Sequence, residues 1–403
     1  MSIYGALMIG VSGLDANSQA LSIASSNIAN VNTVGFKSSS VQFEDTLSQM
    51  VSAAGLSTSI KAGTNPNQVG LGVRVAAVTN NLTEGSQTTT GNNLDAMISG
   101  DGYFVTQTGS QTAYTRDGSF HWDSLGRLST SDGSLVQGWN AVNGTVSTGG
   151  SPTTLTLPSG TVAPANATTT VTMTGNMPSD ATAGATLERD ITVYSADGTP
   201  RSLTMNLTAD ATTPGKWNYS ITDGTSTAPT TGSIQTDGTG NITGTSGGVS
   251  TLKPTIDGVT VDMSAMSGYA SLSTSSFSKQ DGNAAGTLLS VSMGGDGTLS
   301  GTFSNGATVA IARLAIGTFT NPEGLAKAGD SSLVETLNSG TARLGTAGAN
   351  GFGSVVSGAL EASNVDLSQE FTNLIVAQRG FQANARIITT SDSILQELMQ
   401  LKQ

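Results

Sequence analysis

A single histidine, His121, lies between Phe120 and Trp122 in a chain of 403 residues that has no cysteine. With no second imidazole and no thiolate, a metal centre or a nucleophilic triad would have to be built almost wholly from carboxylates. His121 is therefore expected to be structural or on the surface. The stretch GGDGTLSG (294–301) has the look of a glycine–aspartate calcium turn. Such turns complete their coordination shells only in tandem, and this one stands alone, so a plain hairpin turn is expected. Nothing reads as a phosphate loop, a dinucleotide-binding turn after a strand, or a serine-nucleophile elbow. The expectation is a protein that is not an enzyme and has neither cofactor nor metal.

Composition points the same way. The formal net charge is -12, charged residues make up 11% and hydrophobic residues 36%, and there are 51 glycines. An acidic chain this sparing in Lys and Arg offers no counterion-releasing surface, which argues against a nucleic-acid partner. No run approaches the roughly 20 apolar residues of a membrane span, so no membrane insertion is expected. The opening residues, MSIYGALMIGVSGLDANSQ, lack a basic segment and reach Asp15 before a useful apolar core forms. A cleaved signal peptide is not expected, and any export would use another route. The length suits two or three domains.

The elements that organise these residues differ between the ends and the middle. Leu7, Leu14, Leu21 and Ile28 recur every seven residues, with Tyr4 and Val11 between them before Ser18 and Ser25 interrupt. At the other end Leu367, Leu374, Phe381, Ile388 and Leu395 share that period, and Phe371, Gln378, Ala385, Asp392 and Met399 hold the second seam position. Heptads predict long helices at both ends, paired as a coiled coil. Gln378, Gly380 and Asp392 weaken the seam, so the pair is expected to be marginal alone and to order against further copies.

Between the ends, Asp-Gly pairs at 101, 117, 132, 197, 223, 237, 257, 281 and 296 punctuate short β-prone runs. Asp-Gly suits the positive φ of tight hairpins, and antiparallel sheet is predicted. Residues 113–139 read as a meander burying Tyr114, Phe120, Trp122, Leu128, Leu135 and Val136. Residues 188–208 read as a strand pair, with Ile191 and Val193 facing Leu203, Met205 and Leu207 across Asp197-Gly198. The stretches 141–186 and 224–278, rich in Ser, Thr, Gly and Ala, read as peripheral strands and loops.

The chain thus reads as nested and mainly β. Residues 1–32 and 364–403 form a terminal helical domain, 33–69 a linker region, 70–145 with 281–363 an inner β domain, and 146–280 an inserted outer β domain. At the helix-to-sheet junction, Asn27, Asn30, Asn32, Gly35, Phe36 and Lys37 form a helix stop leading into a turn.

The segment SNIANVNTVGFKSSSVQFEDTL resembles the amino-terminal signature of the bacterial flagellar rod and hook proteins, and 358–398 resembles their carboxy-terminal signature. Residues 70–105, 114–128 and 321–336 are similar to the family's β domain, in the same order. A block the size of 141–280 resembles the hook branch, and the shorter distal rod branch is the alternative because of residues 48–69. The resemblance implies an axial structural subunit that self-assembles into a helical homopolymer. That polymer is a curved, flexible tube coupling rod to filament and transmitting torque as a universal joint. It also implies type III export without a cleaved signal peptide, and an extracellular place in the flagellar hook and basal body. The partners it implies are other copies, rod and hook-filament junction proteins, the hook cap and the export apparatus. Leu7, Leu14, Leu21, Ile28, Leu367, Phe371, Leu374, Phe381, Ile388 and Leu395 are the expected assembly seam.

Overall fold

The computed structural model describes residues 3–56, 62–157, 160–224, 228–237, 239–244, 252–349 and 351–400. Part of the stretch 48–69, Gly238 of one expected turn, and 225–227 and 245–251 of the expected loose block lie outside them. The chain divides into two compact units. Unit 1 comprises residues 1–159, 291–300 and 310–403, and unit 2 comprises 160–290 and 301–309.

Unit 1 carries both α-helices of the described residues, α1 (Ile3–Ala29) and α2 (Leu367–Gln400). Proline is absent from both. The start of α2 is fixed by Asp366, whose Oδ1 accepts the backbone N–H of Ser368 at 2.8 Å and of Gln369 at 3.2 Å. An N-cap of this kind satisfies donors that have no partner within the helix. With 34 residues, α2 is roughly 50 Å long. No helix among the described residues is long and apolar enough to cross a membrane.

After α1 the chain enters a two-stranded antiparallel ribbon. Ser39–Asp45 pairs with Val73–Asn80, and the ribbon continues through Ser48–Ser52 against Asn67–Gly70 to a bridge between Gly55 and Thr64. Much of the expected linker is therefore regular structure. The ribbon lies along α1 closely enough that a Cβ on Gly72 would collide with Ser12 Oγ, which accepts the Val73 N–H.

The body of unit 1 is a mainly antiparallel sheet. Residues 310–314 pair with Leu135–Val142, which pairs in turn with Tyr103–Thr108. Gln111–Thr115, Ser332–Val334 and Ala326–Gly329 follow. The expected meander buries Tyr114, Phe120, Leu128 and Val136, while Trp122 and Leu135 are half-buried. Phe319 meets Tyr114 edge-on with ring centroids 4.7 Å apart, and Phe104 meets Phe120 likewise at 5.0 Å.

Unit 2 has a five-stranded antiparallel sheet and a four-stranded sheet. The first runs Thr186–Tyr194, Pro200–Ala209, Lys216–Asp223, Thr230–Thr236, Ile242–Gly244. The second runs Thr255–Ile256, Val259–Ser267, Thr170–Asn176, Ser276–Gln280. The expected strand pair is present, with Ile191 opposite Leu203. Its core includes Val193, Leu203, Met205, Leu207 and Trp217 together with Val171, Met173, Val261 and Met263. The last four come from stretches expected to be peripheral, and this corrects that expectation. One apolar residue in two suffices for a strand buried on one face, even among threonines.

Candidate functional site

The helix pair and the junction beneath it hold the residues singled out by sequence. Along α1 the fully buried positions are Gly10, Gly13, Ala16, Ala24 and Asn27. A Cβ built on Gly13 would lie 2.6 Å from Asn384 Nδ2, one on Gly380 2.5 Å from Asn17 Oδ1, and one on Gly10 3.2 Å from Ile388 Cγ1. The helices approach each other through small residues and asparagines.

This differs from the expected apolar heptad. Leu7, Leu14, Leu21 and Ile28 are half-buried, turned to one side of the small-residue line. On α2, Leu374, Phe381 and Ile388 are half-buried, whereas Leu367, Phe371 and Leu395 are exposed. Gln378 and Asp392 are also exposed and do not interrupt the contact, and Gly380 is part of it. The physical reason is backbone distance, since leucine knobs hold helices apart where glycine lets them close. Among the polar residues that face outward, several apolar ones are also exposed: Tyr4 and Met8 on α1, and Phe371, Ile375, Val376 and Met399 on α2, are each at least half exposed.

Below the helices the chain ends are tied by polar groups. Asn27, 1% exposed, donates from Nδ2 to the Ser39 carbonyl at 2.8 Å and to Glu370 Oε1 at 3.1 Å, and its Oδ1 accepts the Ser39 N–H. One side chain thus joins α1, the ribbon and α2. Asn30 Oδ1 accepts the Thr33 hydroxyl, closing the helix stop, and Asn32 is exposed. Gly35 has φ +67°, its N–H reaches the Glu361 carbonyl at 2.8 Å, and a Cβ there would sit 2.7 Å from the Arg116 carbonyl carbon. Only glycine fits such an approach without strain. Phe36 lies under the Lys327 ammonium, 5.1 Å from its ring centroid.

Lys37 is the centre of a buried ionic cluster. Its Nζ donates to Glu361 Oε1 at 2.5 Å and to the Thr83 carbonyl at 2.6 Å. Glu361, wholly buried, also accepts the Gly85 N–H at 2.9 Å and Arg116 Nη1 at 3.3 Å. Arg116 donates further to the Ile98 and Gly100 carbonyls and stacks over Tyr103. Burial pushes the Lys37 ammonium below its ordinary value, while the Glu361 carboxylate pulls it back up. Next to Glu361, Asn364 accepts the Ser38 N–H and donates to the Asn81 and Thr83 carbonyls. Sequence reading missed Glu361, Arg116 and Asn364. A usable signal existed, because Lys37 is the only cationic side chain in the first 60 residues.

His121 is exposed, with its Nε2 3.3 Å from Ser129 Oγ. The 294–301 stretch is a hairpin turn in which Asp296 accepts the N–H and hydroxyl of Thr298. Among the described residues no cluster of His, Asp or Glu could hold a metal ion. What the arrangement can do is tie the segment after α1 to the segment before α2 beneath the helix pair.

Comparison with known proteins agrees in extent and in order. Residues 7–37 match the model described as flagella basal body rod protein, 97–178 the flagellar hook protein FlgE/F/G D1 domain, and 356–401 the flagellar basal body rod FlgEFG protein C-terminal. The chain is 34% identical to the flagellar hook protein FlgE of Borreliella burgdorferi, over 98% of this chain and 99% of that one. It is 35% identical to the FlgE of Salmonella typhimurium, over 97% and 98%. The flagellar basal-body rod protein FlgG of Bacillus subtilis is similar at 30%, over 98% of each.

Proposed function

This chain belongs to the flagellar hook protein family, and we propose that it serves as a structural subunit of the bacterial flagellar hook by joining copies of itself through its outward helix faces. The observation that carries this reading is the set of apolar side chains on α1 and α2 that the described residues leave at least half exposed, Tyr4, Met8, Phe371, Ile375, Val376 and Met399. Large apolar side chains left exposed along a helix pair are the kind of surface that protein interfaces cover. Small residues already fill the contact between the two helices, so the larger ones are free for neighbouring copies.

In this reading the helices line a tube, and the junction around Glu361 passes load from them into the β body of unit 1. Unit 2, whose surface is dominated by Ser, Thr and Asn, offers weak polar contacts that can exchange as a curved joint turns. Coupling of rod to filament, torque transmission, export without a cleaved signal and contacts with junction, cap and export proteins belong to the same proposal. A distal rod role is the second reading, and the lower identity of the rod relative makes it the weaker one. Electron microscopy of polymer grown from purified protein tests the two together. Curved tubes support the hook, straight ones the rod, and the lack of any polymer counts against both.

A further inference from the structure

Residues 353–364, which lead into α2, lie across unit 1 as one extended segment. Ser354–Ser357 pairs with Ala96–Ser99, and Ala359–Glu361 pairs with Gln87–Thr89. Each pairing is a two-stranded sheet of its own, so among the described residues neither 87–89 nor 96–99 has another strand beside it. Between the two pairings the Gly358 N–H donates to the Asp95 carbonyl at 2.8 Å, and its carbonyl accepts the Thr90 N–H at 2.9 Å. The Ala362 N–H donates to the Ser86 carbonyl at 2.9 Å. Backbone lies directly on backbone here. A Cβ on Gly353 would sit 2.6 Å from the Ser99 carbonyl oxygen, and one on Gly85 would strike the Ala362 carbonyl.

Lifting this segment would undo several elements at once. The strands 87–89 and 96–99 would lose their pairing, and a strand without a partner does not hold its shape in water. The Gly35, Ser38 and Gly85 N–H groups would lose the Glu361 carbonyl, the Asn364 side chain and the Glu361 carboxylate respectively. Lys37 and Arg116 would be left as cations without their carboxylate. Each loss raises the cost of keeping the other pieces in place, because buried donors and charges left unpaired are expensive. Partial unseating is therefore unfavourable, and local opening in such a region is all or none.

We infer that residues 353–364 act as a single latch. Seated, the latch fixes the exit of α1 and the start of α2 to the β body of unit 1. Unseated, it frees both from that body in one step, since residues 35–38 on one side and Glu361 with Asn364 on the other are held by each other. In the hook reading, on which this role rests, the latch decides whether helices and body move as one.

Hydrogen exchange on the full-length, unassembled chain tests the latch without any polymer. In Glu361→Gln the amides of Gly35, Ser38, Gly85, Thr90, Gly358 and Ala362 should exchange faster than in the parent by one common factor, at least about 100-fold. Amides of the strand Pro200–Ala209 in unit 2 should keep their rates. Asn364→Ala, which removes only the bonds to Ser38, Asn81 and Thr83, should speed the same set about tenfold, and it carries the test if Glu361→Gln fails to fold. Rates that stay unchanged, or faster exchange confined to the amides bonded to the altered side chain, overturn the latch and leave the hook reading standing. A parent chain that forms no polymer overturns the hook reading, and the exchange result still decides the latch.

Discussion

Lys37 and Glu361 lie 324 positions apart in the chain and meet in a 2.5 Å ion pair, with side chains 8% and 0% exposed. Lys37 follows the helix stop of α1 and Glu361 precedes α2, so the pair fastens both chain ends at one point. Replacing Glu361 with Gln leaves Lys37 and Arg116 buried without their carboxylate. Loss of one partner of a buried pair costs about 3–5 kcal/mol. Chemical denaturation should show a loss of this size in the transition of unit 1, and a loss below about 1 kcal/mol would show that the cluster is solvated in solution.

Gly35→Ala tests the close approach beside that cluster. The substitution forces a side chain into φ +67° and against the Arg116 backbone 2.7 Å away. Destabilisation of at least about 1–3 kcal/mol is expected by thermal melting. Ser38→Ala, on an unstrained backbone nearby, should cost less.

At the helix contact, Gly380→Leu places a large side chain where a Cβ alone would be 2.5 Å from Asn17 Oδ1. The two helices should part, and trypsin should cleave after Arg379 and Arg386 at least about tenfold faster, as expected where local opening becomes easy. Unchanged cleavage would mean that the small-residue line does not hold the pair.

Much of this was legible in sequence, and the misses have physical causes. The strand pair around Asp197-Gly198 is local, so alternation and turn chemistry reveal its register. The helices were visible as heptads, but their contact was not. Periodicity weights large apolar residues, and the contact uses Gly10, Gly13 and Gly380. Thr170–Asn176 looked peripheral because Val171 and Met173 are isolated among threonines, and only the paired sheet shows that they face a core. The partner of Lys37 was hidden by distance along the chain.

Acid should loosen unit 2. Asp262 is held down at about 2, first by the Lys253 ammonium and then by Ser264, and Asp210 is lowered mainly by the Thr212 hydroxyl and N–H. A carboxyl whose folded value is depressed stabilises the fold fully above its unfolded value near 4, and that contribution disappears as pH falls through the folded value. The urea midpoint of the transition seen by Trp217, in a Trp122→Phe, Trp139→Phe background, should therefore fall between pH 5 and pH 2. A midpoint independent of pH over that range would contradict the carboxylate contacts.

The central claim is that copies join through the outward helix faces. Phe371, 50% exposed, and Ile375, 55% exposed, lie on that surface. The most direct measurement is electron microscopy of the Phe371→Asp, Ile375→Asp chain beside the parent, with circular dichroism to show that both are folded. The account predicts tubes from the parent and dispersed, folded monomers from the variant. Tubes of normal length and number from the variant would contradict it.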